Sequence, residues 1–153
     1  MTPSTTIEKP PPPSPQAARE VRRNSPLRRA RSCYHHLAGV AGVDLLGSLL
    51  RRGWLEEDGL HNGRVLYRLT PQGRRCLGER GVDLERAGGS RRMYAYGCLD
   101  WTERRWHLGG ALAQGVLQVL GEAGVIRRQA GTRVVVVLEL LEGWLDGAEQ
   151  PGE

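Results

Sequence analysis

The chain has 153 residues, enough for one ordinary domain or two very small ones. Hydrophobic residues make up 39% and charged residues 25%, as in a soluble globular chain, and the longest apolar run, Val134 to Leu138, is far too short to cross a membrane. The N-terminus is polar and Pro-rich, without the apolar stretch of a secretory signal, and three Cys in such a chain point to a reducing, cytoplasmic setting rather than a disulfide framework. The net charge of +5 sits entirely in residues 1–31, which hold seven basic and two acidic groups, so the remainder is balanced and lacks the overall basic footprint of a dedicated nucleic-acid binder.

In chain order, residues 1–26 read as an unfolded tail. Pro10 to Pro13 is a four-proline run, and Ser14-Pro15 and Ser25-Pro26 follow it. Such a segment favours polyproline II and buries too little apolar surface to offset its ordering entropy. Ala17 to Arg23 has room for one or two helical turns before Pro26.

From about Leu27 the sequence repeats itself with an offset of 71. His36-Leu37-Ala38-Gly39 returns as His107-Leu108-Gly109-Gly110, and Gly53-Trp54-Leu55 as Gly124-Val125-Ile126. Ala41, Leu45, Leu46 and Leu49 return as Leu112, Val116, Leu117 and Leu120, at helical spacing. Each half therefore predicts an amphipathic helix closed by a Gly, then a β-hairpin. In the first half the hairpin is Trp54 to Glu57 and Arg64 to Leu69, turning at His61-Asn62-Gly63, where Asn-Gly accepts positive φ. Thr70-Pro71 starts the next helix. In the second half the strands are Val125 to Arg128 and Arg133 to Leu138, before a closing helix over Glu139 to Leu145. Asp100-Trp101-Thr102-Glu103 has the form of a capping box opening the second unit's first helix.

The expected fold is mainly α with small β-hairpins, an α+β chain of two winged-helix-like repeats packed together. The first repeat spans 27–87 and the second 88–146, joined through Val82 to Gly97 with a turn at Gly88-Gly89-Ser90; residues 147–153 are expected to be unstructured.

Several residues carry candidate chemistry. If the repeats pack face to face, Cys33, His36, Cys98 and His107 converge as two thiolates and two imidazoles, the donor set of a tetrahedral zinc site. The close Cys-x-x-Cys spacing of the strongest zinc motifs is absent. On a helix, Cys33 and His36 share a face, whereas Cys98 and His107, nine apart, fall on opposite sides of one straight helix. The ordinary alternative makes Cys33, Cys76 and Cys98 small buried hydrophobes and lets His36 and His107 start or cap helices. No Gly-x-Ser-x-Gly elbow occurs, and the Gly-rich pieces lack the Lys or Ser/Thr that holds phosphate, so no enzyme is expected.

The two candidate recognition helices, Val40 to Arg52 and Ala111 to Ala123, offer few side chains able to reach base edges. Any DNA contact falls to phosphates, through Arg28, Arg29 and Arg31 and the hairpin-side Arg64, Arg68, Arg74 and Arg75. A small-molecule pocket between the units is expected to be lined by Tyr34, Tyr94, Trp101 and Trp106.

Three strings in this sequence are similar to segments of a subset of ArsR-family transcriptional regulators: Ala30-Arg31-Ser32-Cys33-Tyr34-His35-His36-Leu37-Ala38-Gly39, Tyr67-Arg68-Leu69-Thr70-Pro71-Gln72-Gly73, and Cys98-Leu99-Asp100-Trp101-Thr102-Glu103-Arg104-Arg105 with His107-Leu108 and Gly110-Ala111-Leu112 after it. The likeness runs over about 27–146, and the last string is the most specific. In that family the matching region follows an N-terminal DNA-binding winged helix, in whose place a Pro/Arg-rich segment stands here. The family's Cys-x-Cys metal pair is also absent, so its metal sensing and DNA-reading residues do not carry over. The resemblance implies a regulator acting through effector sensing and dimerisation, as a homodimer or with longer relatives. Its rivals are a stand-alone interaction module, including a shortened form of such a regulator, and a metal- or haem-binding sensor. No particular cofactor is implied.

Overall fold

The computed structural model of the chain describes residues 10–88 and 94–147. Its architecture is α+β, in two halves that repeat one order of elements: hairpin, long helix, hairpin, short helix. The first half comprises β1 (Arg31–Cys33), β2 (His36–Ala38), α3 (Gly39–Arg51), β3 (Leu55–His61), β4 (Arg64–Leu69) and α4 (Pro71–Glu79), preceded by α1 (Pro15–Arg23) and α2 (Pro26–Arg29). After α5 (Leu84–Gly88) come β5 (Tyr96–Leu99), β6 (Trp106–Gly109), α6 (Ala111–Glu122), β7 (Ile126–Arg128), β8 (Val135–Val137) and α7 (Leu141–Leu145).

The two long helices end alike. Gly53 and Gly124 both take positive φ, 74° and 77°. Behind them Trp54 N–H reaches Leu49 O and Val125 N–H reaches Leu120 O, each at 3.0 Å. Gly53 N–H bonds Leu50 O at 3.0 Å and Gly124 N–H bonds Gly121 O at 3.2 Å. This is the Schellman closure twice over, and it is why an apolar residue directly after the Gly turns back into the core. Thr70 caps α4 as its sequence predicts, its hydroxyl accepting from Gly73 N–H at 3.0 Å.

The halves are joined by exchange of strands. β3 and β4 extend into the second half's first hairpin, giving the order β3-β4-β5-β6 through the Leu66–Tyr96 pair. In the reciprocal place Val134, beside β8, bridges Arg31 of β1. α3 packs on β6 and α6 on β2, so each long helix covers the other half's first hairpin. The resulting core is continuous. Leu45, Leu49, Val116 and Leu120 are all buried, as their spacing requires, with Leu37, Leu108, Leu112 and Ile126 between them.

Five expectations are corrected. The segment before Leu27 is helical from Pro15: Ser14 caps α1 at Ala17 N–H, Ser25 caps α2 at Arg28 N–H, and Ala17 is fully buried. Two Ser-Pro pairs read as linker punctuation are therefore helix starts, with Pro at the first helical position. Each repeat opens with a β-hairpin where the winged-helix pattern calls for a helix. Asp100 opens no helix; it closes the turn of the second hairpin, its carboxylate accepting from Thr102 N–H at 3.1 Å and Glu103 N–H at 2.9 Å. Finally, the strand expected over Trp54 to Glu57 runs on as far as His61, and the closing helix is shorter than expected. Residues 1–9, the Gly89-Ser90 part of the joining turn, and 148–153 lie outside the described residues.

Candidate functional site

Where the first hairpins of the two halves meet, four side chains converge. Cys33 and His36 are direct cross-strand partners in β1–β2, and Cys98 and His107 are direct cross-strand partners in β5–β6. Opposed residues of an antiparallel pair project from the same face, so each hairpin delivers one thiol and one imidazole to one spot. The first hairpin does this with a two-residue turn, Tyr34-His35, in which Tyr34 sits at φ 57°. The second uses the longer Asp100 to Arg105 turn, held by Asp100 N–H bonding Arg105 O at 2.8 Å. The donor atoms of all four residues lie within 4.8 Å of one another, and the His36 and His107 rings are 5.0 Å apart, tilted by 47°. The helix-face argument that kept Cys98 and His107 apart fails because neither pair is on a helix.

Burial sharpens the chemistry. His36 is 2% exposed and His107 1%. Both ring nitrogens of His36 and Nε2 of His107 lack a hydrogen-bond partner among the described residues. A buried polar atom without a partner costs roughly 1–3 kcal/mol, so three in one place call for an explanation. His107 Nδ1 is satisfied: it donates to Asp100 Oδ1 at 2.8 Å.

Asp100 is itself fully buried and heavily engaged. Oδ1 also accepts from Gly39 N–H at 2.7 Å, and Oδ2 meets Arg31 Nη2 at 3.1 Å. Burial alone would raise its pKa, but His107, Arg31 and the Glu103 and Gly39 amides hold it well below the usual carboxylate range. His107 shifts the other way. Burial pulls its pKa down, yet Asp100 and the facing Cys33 sulfur raise it above the ordinary value. The two sulfurs behave as a pair. The Cys98 thiol, then His107 and His36, stabilise a Cys33 thiolate and pull that pKa far down, while the same thiolate and burial push Cys98 up. Two sulfurs, one of them favoured as the thiolate, beside two imidazoles make a soft donor set suited to a thiophilic cation.

The other predicted residues are scattered. Arg31 is 2% exposed and faces inward to Asp100, Thr102 and Leu27 O, so it offers no charge to a phosphate. Arg28 is bound at both Nε and Nη2 to the Glu103 carboxylate. Arg29, Arg64, Arg68, Arg74 and Arg75 are exposed, with Arg64 stacked 4.7 Å over the Tyr96 ring and Arg68 paired to Glu56. The four aromatics do not define a shared pocket. Tyr34 is 84% exposed at a hairpin tip, Trp101 lies over the Arg31 guanidinium, Trp106 packs on Gly97, and Tyr94 is half-buried. An apolar cleft of about 410 Å³ is lined instead by Val40, Leu45, Leu140, Leu141 and Leu145 with their neighbours. Asp100 and Arg31, which buttress the cluster, read from the sequence as a helix cap and a surface cation.

No family model matches the chain, and no solved structure gives a significant match. Over 124 residues the chain is 32% identical to YdfF of Bacillus subtilis (strain 168), named as an uncharacterized HTH-type transcriptional regulator. The aligned part is 81% of this chain and 53% of that protein, so the chain spans about half the length of the curated relative it matches.

Proposed function

We propose that the chain is the effector-responsive part of an HTH-type transcriptional regulator, acting in a cytoplasmic dimer or with longer ArsR-type relatives. It is not an enzyme, and it makes at most weak DNA contact of its own. The carrying observation is the fate of the two long helices: α3 and α6 both bury their apolar faces in the core shared by the two halves, with seven buried residues each. The faces they leave exposed carry few side chains able to reach base edges, Asp44 and Arg51 on α3 and Gln114, Gln118 and Glu122 on α6, which equips neither well as a recognition helix. The likeness to YdfF supports the regulatory role, and the buried junction of the two first hairpins is the place where an effector would be read. The exposed Arg29, Arg64, Arg68, Arg74 and Arg75 supply phosphate contact without sequence reading.

Gel retardation on genomic fragments at roughly 50 mM and 200 mM salt tests this. The chain alone should shift DNA weakly at the lower salt and not at the higher. Tight, sequence-selective retention at the higher salt would overturn it.

A further inference from the structure

We propose that Cys33 Sγ, Cys98 Sγ, one ring nitrogen of His36 and Nε2 of His107 bind a single Zn²⁺ ion, which clasps the two repeats together. This names the ligand class of the effector site, and in its effector aspect it rests on the regulator reading above. The binding itself stands on geometry alone.

Zinc–sulfur bonds of about 2.3 Å and zinc–nitrogen bonds of about 2.0–2.1 Å place tetrahedral donors roughly 3.3–3.8 Å apart. The four donors, all within 4.8 Å of each other, need draw in by only about 1 Å. Every donor side chain comes from a paired strand, so the array is held by backbone hydrogen bonds rather than by mobile loops. The three ring nitrogens without partners lie in that cluster, and a metal would claim two of them.

His107 is already posed. Asp100 takes its Nδ1 hydrogen, which fixes the tautomer that turns Nε2 toward the sulfurs. Asp100 is a positioning residue here, anchored in turn by Arg31 and by Gly39 N–H. The donors are two sulfurs and two imidazoles with no carboxylate, which excludes Mg²⁺ and Ca²⁺ as natural occupants. Four protein donors leave no open position, so the ion does no hydrolysis. Loading is a substitution without redox change: water leaves the zinc, and any proton still held on a donor sulfur or ligating ring nitrogen passes to solvent as the two Zn–S and two Zn–N bonds form.

The test is titration of the metal-stripped full chain with Zn²⁺, and in parallel with Co²⁺ as a spectroscopic stand-in. One equivalent should bind, and the cobalt form should show the intense d–d absorption of a tetrahedral ion with thiolate charge-transfer bands. C33S and H36Q should each abolish stoichiometric binding, C76S should leave it intact, and D100N should weaken it roughly 10- to 100-fold while keeping the tetrahedral spectrum. Less than a tenth of an equivalent, an octahedral cobalt spectrum, or undiminished binding by C33S would overturn the site. Because the wild-type spectrum is read directly, the result does not depend on the variants folding. Stoichiometric zinc that changes neither self-association nor DNA retardation would remove the effector role and leave the site standing. Absence of zinc binding would remove the site and leave the DNA result of the preceding section untouched.

Discussion

Asp100 and His107 are joined by a 2.8 Å hydrogen bond in a place where neither touches water. The bond ties the second hairpin's turn to its returning strand. Through the other carboxylate oxygen and through Gly39 N–H, it also ties that hairpin to β1 and to the start of α3. A single carboxylate thus holds parts of both halves around the four-residue cluster.

Asp100→Ala should therefore cost far more than a surface substitution. It leaves the Arg31 guanidinium buried without its counter-charge and strips the partner from His107 Nδ1. Breaking a buried pair on one side costs about 3–5 kcal/mol. Urea unfolding of the two proteins side by side measures this, and a loss below about 1 kcal/mol would show that water reaches Arg31 and that the buried network is wrong.

Gly42 and Gly121 should respond oppositely to Ala. A Cβ on Gly42 would lie 2.4 Å from Leu37 O, a backbone atom next to His36. The β2 strand must move to admit it, at about 1–3 kcal/mol. A Cβ on Gly121 meets nothing within 4 Å, and helix propensity there favours Ala by roughly 0.5–1 kcal/mol. Chemical denaturation should find Gly42→Ala less stable and Gly121→Ala more stable than the parent. Equal effects would mean that α3 does not approach β2 this closely.

These positions also show what the sequence makes legible. The long helices, their Gly closures and the Thr70-Pro71 start are set within a few residues by apolar spacing, positive φ and side-chain capping, so they read directly. The hairpin at Tyr34-His35 does not. Its turn holds Tyr34 in a left-handed conformation without Asn or Gly to announce it. Assigned to helices, Cys98 and His107 point apart; paired across a turn closed by Asp100, they point together. Arg31 misleads for a related reason. It ends a basic run that reads as solvated, and only its distant partner Asp100 draws it inside. The composition of the cluster was visible, while its assembly depended on strand pairing between distant segments.

The attachment of α7 to α3 should weaken in acid. Arg52 Nη2 donates to Glu142 Oε1 and Asp146 Oδ1, both at 2.7 Å, and Ser48 Oγ donates to Glu142 Oε2 at 2.7 Å. Arg52 first, then Ser48, hold the Glu142 pKa below its ordinary value. A depressed carboxylate adds stability above its unfolded pKa of about 4.3 and loses it as pH falls through the lower folded value. Glu142 is 54% exposed, so screening keeps this contribution under about 1 kcal/mol. Thermal melts of the parent and of Glu142→Gln should differ at pH 6 and converge as the pH falls below the carboxylate range. A gap that persists unchanged at pH 3 would show that the carboxylate charge plays no part.

Metal removal should be read in the stability of the whole chain, because the clasp joins elements far apart in sequence. A ligand that binds only the folded state stabilises it by about 2.7 kcal/mol when free ligand is a hundredfold above Kd. For a chain of this size that is roughly 5–10 °C in Tm. Zinc added to the stripped protein should raise Tm by this order, and a chelator should reverse it. The mechanism makes a sharper demand. Unfolded Cys and His also bind zinc, but without Asp100 to fix a tautomer and without paired strands to fix a spacing, so the gain belongs to the folded array. Cys33→Ser should therefore lose the zinc-dependent rise while its metal-free Tm stays near that of the parent, because Cys33 is only partly buried. A rise of equal size in Cys33→Ser would place the stabilising zinc elsewhere in the chain.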